Sequence, residues 1–128
     1  MKLSNNFTLE ELCITKSGLP NIPNGMQINA LKELVLNVLQ PLRELYGKPI
    51  TINSGFRSKE VNKSVGGVMT SQHLKGEAAD LDCDDNKKLF ELIRDNFTFD
   101  QLINEHNYSW VHVSYKKSGN RNQIINIK

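Results

Sequence analysis

Leu31, Leu34, Val35, Val38, Leu39, Leu42 and Leu45 fall at positions that stack on one side of a 3.6-residue helix. An apolar face that wide has to be covered by another part of the chain. The cover is encoded mostly downstream. Pro49 to Ser54, Ala79 to Cys83, Phe99 to Asn104, Ser109 to Tyr115 and Gln123 to Ile127 all read as strands, the second of them by strict alternation. Helices come first and strands cluster late, which predicts an α+β fold with N-terminal helices and a small, mostly antiparallel sheet. The chain has 128 residues with no repeat, linker or low-complexity stretch, so residues 1–128 are expected to form one domain with a real core.

Local signals set the expected boundaries. Thr8 and Glu11, three apart, make a capping box for a short helix. Gly18 to Gly25 carries Pro20 and Pro23 and reads as loop. Asn29 is then placed to cap the long helix, Pro41 to kink or split it, and Gly47 to end it. Ser58 to Val65 suits a short helix closed by Gly66-Gly67, and Asn86 to Phe97 suits another with Leu89, Leu92, Ile93 and Phe97 inward.

Composition excludes several classes. Sixteen Lys+Arg against fourteen Asp+Glu leave a formal charge of +2, which gives no reason to expect nucleic acid or an anionic membrane as a partner. The apolar stretches are short and interrupted, so no membrane-spanning helix is expected. Cys13 and Cys83 are too few for a disulfide scaffold or a cysteine-rich zinc site, and Cys83 reads as a small buried hydrophobe rather than half of a bridge.

The chemistry is concentrated in four stretches: Ser54-Gly55-Phe56-Arg57-Ser58, Ser71-Gln72-His73, Gly76-Glu77-Ala78-Ala79-Asp80 and Trp110-Val111-His112-Val113-Ser114. Two histidines and an aspartate, with water in a fourth position, are the donor set of an open catalytic zinc site. Such a site lowers the pKa of its water to about 7. His73 and Asp80 are seven residues apart and His112 lies thirty-two further on, so strand pairing has to bring them together. Alternation places Trp110, His112 and Ser114 on one strand face and Val111, Val113 and Tyr115 on the other. His112 can thus line a cleft while the valines hold the strand to the core.

Taken jointly, Ser-Gly-Phe-Arg-Ser, Val61-Asn62, Gly66-Gly67-Val68, Ser71-x-His73, Gly76-x-Ala78-x-Asp80 and Trp110-x-His112 resemble the zinc D-Ala-D-Ala carboxypeptidase and L-Ala-D-Glu endopeptidase family of peptidoglycan peptidases. The resemblance runs from about Phe7 to Tyr115 and includes Leu39-Gln40-Pro41-Leu42-Arg43 and Phe99-Asp100-Gln101-Leu102-Ile103. It implies the small α+β fold that these enzymes share with the hedgehog signalling domain. It implies Zn2+ as cofactor, with His73, Asp80 and His112 as its ligands. Arg57 would hold substrate and steady the oxyanion, a role suited to a permanently charged planar fork. Ser71 would contact the substrate backbone, or else cap the turn into His73, and Trp110 would form a cleft wall. Tyr108 reads as core.

The general base departs from the pattern of many relatives, which carry Glu three residues before the last ligand, where this chain has Ser109. Glu105, just after Phe-Asp-Gln-Leu-Ile, is the expected base, provided a tight turn through His106-Asn107-Tyr108 brings it beside the metal. His106 as base, or no working base, are the alternatives. Without a base the chain would be a zinc-containing peptidoglycan- or protein-binding module of the same fold. A dipeptidase acting on D-Ala-D-Ala would use the same residues.

Asp80, Asp82, Asp84 and Glu91 also match four acidic positions of a calcium loop. Asp85 stands where that loop needs Gly and Lys87 where it needs an apolar residue, so the acids are expected instead at a strand end and helix start. The expected partners are peptidoglycan stem peptides or D-Ala-containing peptides, with no nucleic acid and no membrane insertion, and the chain is expected to act as a monomer. Met1-Lys2-Leu3 leads into Ser4-Asn5-Asn6 without a signal-peptide core. The expectation is therefore a protein kept in the cytoplasm until its release to the cell wall, as an endolysin is, or exported by another route.

Overall fold

The computed structural model describes residues 1–128. Thr8 and Glu11 form the capping box read from the sequence. The Glu11 N–H donates to Thr8 Oγ1 at 3.1 Å and the Thr8 N–H to Glu11 Oε1 at 3.1 Å, starting α1 (Leu9–Leu12). The long helix begins earlier than expected. Asn24, not Asn29, caps α2 (Gly25–Leu34), because Gln27 three residues on returns the bond: Gln27 N–H to Asn24 Oδ1 is 2.9 Å and Asn24 N–H to Gln27 Oε1 is 2.8 Å. The first turn of α2 lies over solvent, with Met26 83% exposed, so the buried period marks only where the core begins.

Pro41 neither splits nor breaks the rod. A π turn over Val35–Leu39 joins α2 to α3 (Gln40–Tyr46), and the Gln40 N–H reaches back five residues to the Val35 carbonyl. The widened turn shifts the bonding register just before Pro41, whose missing N–H would otherwise interrupt an α ladder. Gly47 ends the rod in the left-handed region (φ 77°), as expected.

Five strands form one sheet in the order β1-β2-β4-β3-β5: β1 (Thr51–Ser54), β2 (Ala78–Asp82), β3 (Gln101–Glu105), β4 (Trp110–Ser114) and β5 (Gln123–Ile127). All neighbours are antiparallel except β5, which runs parallel to β3. Cross-strand partners share a face. One face carries Ile52, Ala79, Leu81, Val111, Val113 and Leu102, all buried in a single core with the α2–α3 rod and with Leu89, Phe90 and Ile93 of α5 (Asn86–Asn96). Leu92 and Phe97 are partly buried against the same core. The opposite face carries Asp80, His112 and Ile103 in one row. That division decides where chemistry can happen.

β2 starts one residue earlier than its alternation suggested, and its first four residues are all buried, because both faces of this strand are covered. Asp80 and Asp82 are thus extended strand and not a calcium loop. Asp85 caps α5 through its bond from the Lys88 N–H at 3.1 Å, and Asp84 is exposed beside it. Cys13 and Cys83 are free thiols, each half-buried against the core. Burial, with Glu10 nearby, pushes the Cys13 thiol up to about 11, so it is not a reactive thiolate at neutral pH. No helix is long and apolar enough to cross a membrane.

Candidate metal centre and cleft

The stretch Ser54 to Ser58 is built residue by residue for one corner. Gly55 has to lack a side chain, since a Cβ there would collide with the carbonyl oxygen of Leu12. The next N–H, that of Phe56, donates to the same carbonyl at 2.7 Å and sends the ring into the core. Ser58 caps α4 (Lys59–Ser64). Between them Arg57 points into the cleft, its Nε donating to Ser54 Oγ at 2.9 Å and its Nη2 to Asp80 Oδ2 at 3.2 Å. A further bond goes to Asn62 Oδ1 at 3.4 Å. Asn62 is itself fixed by its bond to the Val68 carbonyl at 3.0 Å, and Gly67 is needed because a Cβ there would strike the Asn62 side chain.

His73 lies on a 3-10 turn (Gln72–Lys75) capped by Ser71, whose Oγ accepts the His73 N–H at 3.2 Å. Of the two roles open for Ser71, the cap is formed, and its side chain also lines the cleft. The His73 ring donates Nδ1–H to the Gly55 carbonyl at 2.6 Å, which assigns the tautomer and leaves the Nε2 lone pair facing Asp80 Oδ2 at 3.4 Å. His112 Nδ1 meets Asp80 Oδ1 at 3.0 Å across the β2–β4 pair.

His73, Asp80 and His112 each offer a donor atom within 4.8 Å of the others, and all three are sequestered from solvent. Two donors bound at about 2.1 Å to a tetrahedral ion lie about 3.4 Å apart. The His73–Asp80 separation has that value, and in this tautomer it sets two acceptors face to face with nothing between them. The residues therefore fit a divalent cation. Burial alone would raise the Asp80 pKa. The hydrogen bond and positive charge of His112 outweigh it and hold the carboxyl well below its ordinary range.

This corner forms the floor of a cleft of about 910 Å³. One wall is the loop from Val65 to Gln72 and the other is the outer face of β3. Glu105 pairs with Trp110 one step along from the Ile103–His112 pair, so both share the face of the donor set, about 7 Å along the strands. The Glu105 side chain makes no hydrogen bond or ion pair within the protein. The turn that brings it there is strained, with His106, Asn107 and Tyr108 consecutively left-handed (φ 48°, 57° and 64°). Asn104 Oδ1 accepts the Tyr108 N–H at 2.6 Å, and Asn86 Nδ2 donates to the Tyr108 carbonyl at 3.0 Å. Tyr108 packs its ring on Phe90 and belongs to the core side, as expected, while His106 tilts over Trp110 at the cleft rim with centroids 5.2 Å apart.

Arg57, Ser71, His73, Asp80, Glu105, Trp110 and His112, the residues given a site role from the sequence, thus line one cleft. Other lining residues were not assigned to the site from the sequence, Thr70 on the loop wall among them. Gln101 and Ile103 follow from alternation on β3 once Glu105 is assigned a face. Arg121 and Ile127, from the C-terminal segment, carry no motif that announces them. A second hollow of about 440 Å³ lies along α2 beside Met26, Leu36 and Tyr115 and contains none of the donor residues.

A family model described as Peptidase M15 matches residues 5–114. Over 44 residues, 34% of this chain, the sequence is 54% identical to the zinc D-Ala-D-Ala carboxypeptidase of Streptomyces albus G. That stretch spans only 17% of the relative's own length.

Proposed function

The chain belongs to the Peptidase M15 family, and on that premise we propose that it is a zinc-dependent peptidase hydrolysing amide bonds in peptidoglycan stem peptides. The bond would be of the D-Ala-D-Ala carboxypeptidase or the L-Ala-D-Glu endopeptidase kind. The observation that carries the reading is the buried His73–Asp80–His112 donor set at the floor of an open cleft, with an unengaged carboxylate and a fixed guanidinium on the same face. His73 through Nε2, the Asp80 carboxylate and His112 through Nδ1 would hold the ion. Zinc bound there supplies a Lewis acid and a water acidified to a pKa near 7.

The chain's own residues do the rest. The Gly55 carbonyl fixes the His73 ring, which keeps the donor nitrogen aimed before any ion arrives. Glu105 takes a proton from the attacking water and returns it to the leaving amine nitrogen. Arg57 has two of its five N–H groups left after its bonds to Ser54, Asn62 and Asp80, and these face the developing oxyanion or a substrate carboxylate. Ser71 and Trp110 bound the space in which the peptide lies.

Mass spectrometry of purified peptidoglycan fragments, incubated with the zinc-loaded protein and with a chelator control, tests the reading. Chelator-sensitive new peptide termini are expected, and their masses identify the bond. Unchanged fragments in the presence of stoichiometric zinc would overturn it. A wall-degrading, endolysin-like role belongs to the same proposal, and loss of turbidity from isolated cell walls is its check.

A further inference from the structure

Arg121 stands at the end of the cleft opposite Glu105, beyond the last residue matched by the family model. Asp100, wholly buried, holds it by three bonds. Its Oδ1 accepts the Arg121 backbone N–H at 3.1 Å and Nε at 2.9 Å, and its Oδ2 accepts Nη2 at 2.8 Å. This fork fixes the guanidinium plane and uses two of its five N–H groups. The other three are not bonded within the protein, and the side chain is 54% exposed where it lines the cleft. The backbone around it is tied as firmly. The Asn122 N–H donates to the Phe99 carbonyl at 2.8 Å and the Gln123 N–H to the Asp100 carbonyl at 3.0 Å, which docks β5 on β3.

Along β3 the outward residues are Gln101, Ile103 and Glu105, spaced about 7 Å apart. Ile103 lies level with His112. A peptide lying in the cleft with its scissile amide over the donor set thus meets a carboxylate at one end, Glu105, and a preset guanidinium fork at the other. Gln101 adds an amide beside that fork, its Nε2 bonded to Gln123 Oε1 at 2.9 Å.

We propose that Arg121, positioned by Asp100, is a specificity-determining residue that binds a carboxylate of the peptide substrate one or two residues from the scissile amide. The inference rests on the peptidase reading for its substrate class and adds which end of the cleft takes the anionic group. A charge-assisted forked contact of this kind favours a carboxylate over its amide by about tenfold.

The test uses stem-peptide fragments that differ only in whether the D-Glu α-carboxyl, or the terminal D-Ala carboxyl, is free or amidated. Binding is measured by titration calorimetry and cleavage by kcat/KM, in zinc-loaded wild type and in Arg121→Gln and Arg121→Lys. The wild type should prefer one of the free acids about tenfold over its amide. In Arg121→Gln the ratio should fall to near one, and in Arg121→Lys, which keeps the charge and loses the fork, to an intermediate value. A wild type indifferent to both amidations overturns the inference even if the variants fail to fold, and so does a preference that survives in Arg121→Gln. Tenfold discrimination in binding without cleavage would sink the catalytic reading and leave the anion site standing. Cleavage without discrimination would do the reverse.

Discussion

Asp80, within β2, and Asp100, just before β3, are nearly or wholly buried, and both accept from an arginine that lines the same cleft. Their surroundings differ. Asp100 is answered completely: three donors from Arg121 meet its two oxygens, and these bonds pull its pKa down to about 2. Asp80 is surrounded by ring nitrogens, one of which faces it with a lone pair and no proton, while Arg57 reaches only one of its oxygens. A satisfied buried carboxylate organises structure. A buried carboxylate facing other acceptors is arranged for a cation that the chain does not itself supply.

Removing each carboxylate should break this comparison cleanly. Asp80→Asn is expected to have the larger effect, abolishing stoichiometric zinc binding and lowering turnover by at least about a thousandfold, more than outer-shell substitutions cost. Zinc should raise the melting temperature of the wild type by mass action and leave that of Asp80→Asn unmoved. Asp100→Asn should still bind one zinc and still show the zinc-dependent rise. Elemental analysis after dialysis, paired with melting curves, reads both. Loss of zinc from Asp100→Asn would mean the two corners are not independent.

Glu105→Gln comes next. It keeps the size and position of the side chain and removes the proton acceptor, so kcat should fall about 10²–10⁴-fold with zinc content unchanged. Full activity would transfer the base to His106 at the rim or to water. Arg57→Lys should follow with a loss of about 10–100-fold in kcat/KM, because an ammonium cannot keep the bonds to Ser54, Asn62 and Asp80 and still face the substrate.

The metal corner was far more legible in the sequence than the Arg121 corner, and the reason is physical. His73, Asp80 and His112 carry unusual chemistry, period-two alternation puts His112 on the correct face, and Thr8–Glu11 reads directly as a cap. Signals that depend on three-dimensional partners were weaker. Asn24 and Asn29 are chemically identical as caps, and only the answering Gln27 chooses between them. The π turn before Pro41 leaves no mark in a pattern that fits an α-helix almost as well. The isoleucine-rich run from Gln123 to Ile127 announces a strand and says nothing of its direction, so the parallel pairing with β3 was not readable. Arg121 looks like any surface arginine until that pairing sets it beside Asp100.

The smallest expected effect is on acid stability, where the two carboxylates act in the same sense. Asp100 has a folded pKa of about 2, below the roughly 3.9 of an unfolded aspartate. Its contribution is therefore fully present above pH 4 and is lost as pH falls from about 4 through 2, because the unfolded chain takes up the proton first. The Asp80 carboxyl is depressed in the same sense, so its contribution is lost in the same direction. At pH 7, Asp100→Asn should lower the melting temperature by about 3–6 °C. Because the variant lacks the group that titrates, its melting curve should shift less than that of the wild type between pH 5 and pH 2.5, and the two should converge. Parallel curves would show that the Arg121 fork stabilises the fold by packing rather than by charge. The anion site would then rest on a guanidinium whose position does not depend on the ionised partner beneath it.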